Sequence, residues 1–399
     1  MRIAYTCHDS FPSSSTNTQQ TFWTIAEVAR LGVSVELFVP SVNTVAGQES
    51  RSTVARYYGA SIGTLPETLN ITTLGDRPLE GSVTKGWFDW RIAGRLTASS
   101  RAGIGRRHDL VWTRDPLALV SCVRAGLPTF FETYRPDFAL RRRFAPWRQM
   151  CLASPHLRGI VTHSRLAADA FVAARIPAER VLVAYNGFAP SLLEPVLSRA
   201  EARIRLALPR DRPLAVYAGH VSPDKGVDVL VQMAAAVPGA RILLVGASPD
   251  SIDGQRLREA ARQAGVRNVL LRPRVPLADV STYLYAADCL IVPPTDEPLR
   301  RFRRTVLPMK VFMYLAAGRP ILAPRLPDLE EVLTDHETAR LVPPDDAQEA
   351  GAALAALLAD QPLQERLSRN ALEAATAYTW SARARRIAGF MGWAGEVSR

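Results

Sequence analysis

VYAGHVSPDKGVDVLVQMAAAVPGARILLVG, residues Val216–Gly246, holds the reading that decides the fold. The apolar run Leu214–Ala218 predicts a strand, Gly219–Lys225 a tight loop, the next ten or so residues a helix, and Ile242–Val245 a second strand. A strand that ends in a glycine loop and passes into a helix presents free backbone N–H groups to anionic oxygens. Asp224 is placed to cap that helix and Lys225 to lie in its first turn. A lysine there adds a point charge suited to a diphosphate, so the stretch points to chemistry on a nucleotide-activated substrate.

The same alternation extends in both directions. Strands are expected at Arg2–Tyr5, Val35–Val39, Leu110–Trp112, Thr129–Phe131, Ile160–Thr162 and Val181–Ala184. In the second half they are expected at Leu214–Ala218, Ile242–Val245, Val269–Leu271, Leu290–Val292 and Ile321–Ala323. Helical patterns fit Gln20–Leu31, Leu117–Ala125, Arg165–Ala174, Val227–Ala236, Ser251–Ala264, Val280–Ala287 and Lys310–Ala317. Strands alternating with helices predict an α/β protein with two doubly wound parallel sheets, each covered on both faces. The expected division is 1–190 and 205–378, joined through Phe188–Asp211, with a closing helix about 380–399 returning to the first domain. Ligands of such sheets sit at the carboxyl ends of the strands, so one substrate is assigned to each domain.

Composition excludes several classes. The 399 residues are 47% hydrophobic and 22% charged, as in globular enzymes, without an apolar run long enough to span a bilayer. The start MRIAY reads as a strand and not as a signal peptide. Four scattered cysteines, Cys7, Cys122, Cys151 and Cys289, lack metal or redox spacing and fit a reducing compartment. The expectation is therefore a cytoplasmic protein, with the inner membrane face as a place of peripheral contact. The net charge of +11 favours an anionic partner. No nucleic-acid reader motif accompanies that charge, so nucleic acid is not expected. The basic-aromatic segment Arg141–Arg148, RRRFAPWR, resembles interfacial sequence and is the candidate membrane contact. The absence of Asp-x-Asp, of a P-loop and of a Gly-x-Ser-x-Gly elbow leads to an expectation of no essential metal and no bound cofactor.

Five motifs in order carry a resemblance to a known family. They are Tyr217–Gly226 (YAGHVSPDKG), Ala286–Pro293 (AADCLIVP), Pro308–Pro320 (PMKVFMYLAAGRP), Thr162–Ser164 with Val183–Gly187, and Tyr378–Arg383 (YTWSAR). Together they resemble the retaining glycosyltransferases of the GT-B fold, family 4, whose members work in polysaccharide, glycolipid and natural-product assembly. The resemblance implies two Rossmann-like domains, a nucleoside-diphosphate sugar as donor, and a hydroxyl acceptor, soluble or lipid-linked. It implies a hexosyltransferase.

The resemblance assigns roles by position. His220 and Lys225 match the residues that hold the donor diphosphate, with His220 standing where most relatives carry Arg. Gly219, Gly246, Arg274, Thr305, Val306, Leu307 and Lys310 fall in the donor region, and Glu297 lies in the preceding loop. Relatives place two glutamates eight positions apart there; this chain has Thr305 and Met313, and a thioether cannot accept two ribose hydroxyls as a carboxylate does. On the acceptor side, Ser14, Ser15, Thr16 and Gln19 follow the first strand where relatives have glycines. Tyr134 stands where relatives carry a histidine near the reacting sugar, flanked by Glu132 and Arg135. Lys225, His220 and Tyr134 are the expected catalytic set. The departures at Thr305, Met313 and Tyr134 leave a rival expectation, a non-catalytic GT-B protein that binds or scaffolds.

Overall fold

The computed structural model describes residues 1–41, 50–60, 65–74, 81–101, 108–302 and 307–394. The chain divides into two compact units, Met1–Asn186 with Trp380–Arg399, and Gly187–Thr379.

In the first unit seven parallel strands are β1 (Arg2–Thr6), β2 (Ser34–Val39), β3 (Leu69–Thr73), β4 (Leu110–Thr113), β5 (Thr129–Thr133), β6 (Leu157–Thr162) and β7 (Val181–Val183). Their spatial order is 3-2-1-4-5-6-7, so the winding reverses between β1 and β4. Right-handed crossovers put the helices before and after that reversal on opposite faces. Ile3, Tyr5, Val35, Val111, Phe131 and Ile160 are buried, as a sheet covered on both sides requires. Strand β3 escapes the sequence reading because LNITT buries only Leu69 and breaks its apolar residues Leu69 and Ile71 with Asn70, Thr72 and Thr73. The helix Thr16–Arg30 packs against the closing helix Trp380–Phe390. On the other side Gly81–Arg101, Pro116–Arg124 and Ala145–Ala153 pack in succession.

The closing helix is held by a buried charge. Arg383 donates to Glu132 Oε1 on β5 at 2.5 Å, to the carbonyls of Ala184 and Tyr185, and to Thr24. Glu132 is fully enclosed and also accepts from Gln20 at 2.6 Å and His163 at 2.9 Å. Burial, with Arg383 nearby, pushes His163 down to about 3, so its ring is neutral and donates through Nε2. Burial alone would raise Glu132, but Arg383, the His163 hydrogen bond and Arg114 hold it far below the ordinary carboxylate range.

The second unit has six parallel strands, β8 (Leu214–Ala218), β9 (Arg241–Val245), β10 (Val269–Arg272), β11 (Cys289–Ile291), β12 (Ile321–Pro324) and β13 (Arg340–Val342), in the order 10-9-8-11-12-13. The reversal lies between β8 and β11. Strand β13 is three residues long with one half-exposed arginine, too short for an apolar pattern to mark. The core gathers Tyr217, Leu230, Met233, Ile242, Leu244, Ile291, Leu322 and Leu354. Asp288, at the foot of β11, accepts from Arg199, Arg203 and the Leu214 N–H, and so fastens the helix Arg199–Arg205 to the sheet. The doubly wound α/β reading holds in both units.

Replacing Arg383 by Met strands the Glu132 carboxylate in the core and should cost about 3–5 kcal/mol in urea unfolding. The pH dependence follows from the depressed Glu132 pKa. Its stabilisation is complete above the unfolded value near ~4.3 and is lost as pH falls from there through the folded value. Glu132→Gln should therefore flatten the acid limb of stability against pH.

Candidate functional site

The loop after β8 is built on close backbone approach. Gly219 has φ 152° and Gly246, at the end of β9, has φ 148°. A Cβ on Gly246 would lie 1.8 Å from the Gly219 carbonyl oxygen, so glycine alone lets these strand ends meet. The Gly219 N–H donates to Val245 O at 3.0 Å, and Tyr217 Oη donates to His220 O at 2.6 Å.

Into the space left by the missing Cβ of Gly219 comes Lys310. Its Nζ would lie 2.6 Å from a Cβ there, and it sits 3.6 Å from the Tyr217 ring centroid. The side chain keeps some exposure, but its ammonium is desolvated; that desolvation, reinforced by the charge of Lys225, brings its pKa well below 10.5. Among the described residues no carboxylate forms an ion pair with it. A cation held by a ring face and a glycine, beside a second lysine, has the chemistry to receive an anion.

Lys225 lies elsewhere than the sequence pattern suggested. Pro223–Lys225 is a short 3₁₀ turn, Gly226 turns left-handed at φ 63°, and the helix starts at Asp228 after Val227, without a side-chain cap. Asp224 therefore does not cap it. It accepts from Ser222 Oγ at 2.6 Å and pairs with Lys225 Nζ at 3.4 Å. Gly226 ends the turn early through its left-handed backbone, and a Cβ there would also strike Thr295. Thus Lys225 precedes the helix rather than riding on it, and in the helix's first turn the Val229 and Leu230 N–H groups donate to the carbonyls of Gly226 and Val227.

The remaining donor-region residues are spread around this loop. His220 is exposed directly after Gly219, and Arg274 is exposed beyond β10. Glu297 opens the helix Glu297–Phe302, pairs with Arg300 at 3.1 Å, and that helix packs on the Pro223–Lys225 turn. Leu307 is buried before the helix Lys310–Ala317, which likewise begins without a side-chain cap. Met313 is partly buried on that helix. Thr305 and Val306 lie outside the described residues.

In the first unit the acceptor-side residues divide. Ser15 is the N-cap of Thr16–Arg30, accepting from Asn17 N at 3.1 Å, so its hydroxyl serves the helix. Ser14 and Thr16 are exposed beside it and Gln19 is partly so. Tyr134 is 39% exposed, with Arg135 4.8 Å and Arg114 5.9 Å from its ring centroid and the His163 ring behind it. Glu132 does not face an acceptor: it is enclosed, with Arg383, His163 and Gln20 all donating to Oε1 and Tyr5 Oη reaching Oε2 at 3.5 Å.

Sequence reasoning missed a second cluster, at the reversal between β1 and β4. His8 Nδ1 is 3.0 Å from Asp115 and 3.5 Å from Asp89, and the His8 N–H donates to Asp115 at 3.1 Å. Burial opposes the imidazolium, but the two carboxylates outweigh it and push His8 up to about 10; burial pushes Asp89 up to about 7 against the pull of His8. Among the described residues these three offer donor atoms close enough to hold one metal ion, yet the imidazolium itself supplies the positive charge the carboxylates require. The signal was present: His8 and Asp115 each follow within two residues of a strand that the apolar pattern had located.

Comparison with known proteins follows this geometry. Residues 212–360 match the family model described as "Glycosyl transferases group 1". A D-inositol 3-phosphate glycosyltransferase of Thermobispora bispora is 27% identical over 395 residues, 91% of this chain and 87% of the relative. The Xylanimonas cellulosilytica protein of the same name is 33% identical over 196 residues, 48% of this chain and 45% of its own length. The alignment to that relative thus spans less than half of it. Among solved structures, the Anabaena protein HepE in complex with UDP and glucose superposes with TM-score 0.69 at 16% identity, covering 98% of this chain and 99% of that one. A sucrose-phosphate synthase from Thermosynechococcus elongatus gives 0.70 at 19% identity, covering 98% of each.

Gly246→Ala should displace the Gly219 loop and lower both the melting temperature and nucleotide affinity, with a strain of about 1–3 kcal/mol. Gly239→Ala, where a Cβ meets nothing within 4 Å, should leave both unchanged. Paired thermal melts and calorimetric titrations of the two variants measure the difference.

Proposed function

The chain belongs to the group 1 glycosyltransferases and has the GT-B fold, and from that premise we propose that it transfers a hexose-type sugar from a nucleoside diphosphate to a hydroxyl acceptor with retention of configuration. The observation that carries this reading is the Lys310 ammonium, held over Tyr217 and under Gly219 with Lys225 nearby.

Two lysines, together with the positive ends of the helices Asp228–Ala236 and Lys310–Ala317, suit a departing diphosphate. Charge stabilisation at the leaving group, rather than a protein nucleophile, then drives the reaction, and the acceptor attacks on the face the diphosphate leaves. His220, exposed beside Gly219, adds a phosphate donor when protonated. Met313 offers no ribose acceptor, so nucleotide affinity rests on the diphosphate and on backbone contacts near Gly246 and Arg274. Tyr134, partly exposed between two guanidinium groups, fits a hydroxyl-rich or phosphorylated acceptor; the relatives' name, D-inositol 3-phosphate glycosyltransferase, supports an acceptor of that kind. Ser14, Thr16 and Gln19 line the same unit's first loop. The reading includes no metal and no resident cofactor.

We also propose cytoplasmic residence with peripheral membrane contact. No helix among the described residues is long and apolar enough to cross a membrane. Within Arg141–Arg148, Arg141 pairs with Asp137 at 3.0 Å, Arg148 donates to Phe138 O at 3.1 Å, and Arg143 lies over Phe144. Arg142 and Trp147 are exposed, so they carry this segment's contact.

Lys225→Ala should lose most turnover while its melting temperature stays that of the parent; unchanged kinetics would refute the donor-site assignment. Calorimetry with UDP-, GDP-, ADP- and TDP-sugars identifies the donor. The lowered Lys310 pKa adds a sign. A bound diphosphate raises that pKa, so binding takes up a proton when pH lies between the free and bound values, and affinity declines as pH rises through that interval. Titrations in two buffers of different ionisation enthalpy should show the uptake, and Lys310→Met should abolish it.

A further inference from the structure

The helix Gly81–Arg101 turns an unusual face to solvent. Phe88, Ile92, Ala93 and Leu96 form its inner side and pack with Ala4, Phe38, Val111 and Cys122 over the first sheet. Its outer side carries Trp87, 54% exposed, and Trp90, 67% exposed, with Arg91 and Arg95 exposed on the same turns. The Arg91 guanidinium stacks 4.7 Å from the Trp87 ring centroid. The other exposed positions described on this face are Thr84, Gly94 and Ala98, so it bears no acid; Asp89 points inward to His8.

Two largely exposed indoles are costly to leave in water. A groove for an apolar partner would be apolar throughout, whereas this stripe mixes indole with guanidinium, the combination that suits the boundary between headgroups and acyl chains. Its charge is wholly positive, and the whole chain carries +11. Because Gly81–Arg101 packs on Pro116–Arg124 and that helix on Ala145–Ala153, the stripe shares its layer with Arg142 and Trp147.

We propose that this face of the first unit docks on an anionic lipid bilayer, with Trp87 and Trp90 entering the interface and Arg91 and Arg95 meeting headgroup phosphates. It extends the membrane contact proposed for Arg141–Arg148 to a second and larger platform, and it is independent of the donor chemistry.

The test is flotation of the full chain with phosphatidylcholine vesicles, without and with phosphatidylglycerol, read also by quenching of tryptophan fluorescence by brominated lipid. The parent should bind the anionic vesicles, lose binding as salt rises, and be quenched. Arg91→Gln with Arg95→Gln should weaken binding by roughly thirty-fold. Trp87→Gln with Trp90→Gln should remove most of the quenching, the remainder coming from Trp147, while nucleotide binding by both double variants stays at the parental level. Arg142→Ser should weaken binding less than the Arg91 and Arg95 pair. The proposal is overturned if the parent ignores anionic vesicles, if either double variant binds as the parent does, or if sedimentation shows that the tryptophan pair instead joins two copies of the chain. Loss confined to Arg142→Ser would leave the Arg141–Arg148 contact standing and remove this one.

Discussion

A carboxylate enclosed without solvent has to be answered in full, and Glu132 sets the terms for the whole first unit. It sits on β5 with Arg383, His163 and Gln20 all aimed at it. Those partners come from the closing helix, the end of β6 and the helix after β1. Sheet, opening helix and closing helix are therefore bound by one electrostatic knot, and the positions of Tyr134, Arg114 and Arg135 above it follow from that knot. The charge that looked available to a substrate is spent on architecture.

The second unit solves a different problem with less charge. Here the constraint is distance: β8 and β9 end so close together that a side chain is excluded at Gly246, where a Cβ would meet the Gly219 carbonyl, and at Gly219 the place of a Cβ lies against the Lys310 ammonium. The vacancy is taken by the Lys310 ammonium, which arrives from the helix between β11 and β12 and rests on Tyr217. Backbone geometry thus creates a desolvated cation at the reversal point of the sheet, where the topology of such folds places ligands. The reading of Val216–Gly246 as strand, turn, helix and strand holds, although the turn, its cap and the placing of Lys225 differ in detail.

The strands that the sequence showed were those written as apolar runs, such as Leu214–Ala218, and they include the partly buried edge strands β7 and β10. Strands β3 and β13 lie at the sheet edges, carry polar residues, and left no such run. The motifs located His220, Lys225, Lys310 and Tyr134 by position, but they could not show what each side chain touches. Glu132 looked like an acceptor residue because its partner Arg383 is 251 positions away. Asp224 looked like a cap because the spacing did not show the left-handed turn at Gly226, where a Cβ would also strike Thr295, remote in sequence. The His8, Asp89 and Asp115 cluster is assembled by strand order, and periodicity carries no information about order.

The chain leaves the first unit at Asn186 and re-enters it at Trp380. During synthesis, then, the opening half emerges from the ribosome with Glu132 still lacking its guanidinium. Nearly two hundred residues must be translated before Arg383 appears. The second unit is contiguous and can complete its own sheet in the meantime. The part made first is therefore the part completed last: its closing helix and the Arg383 guanidinium are supplied only after the second unit has been translated.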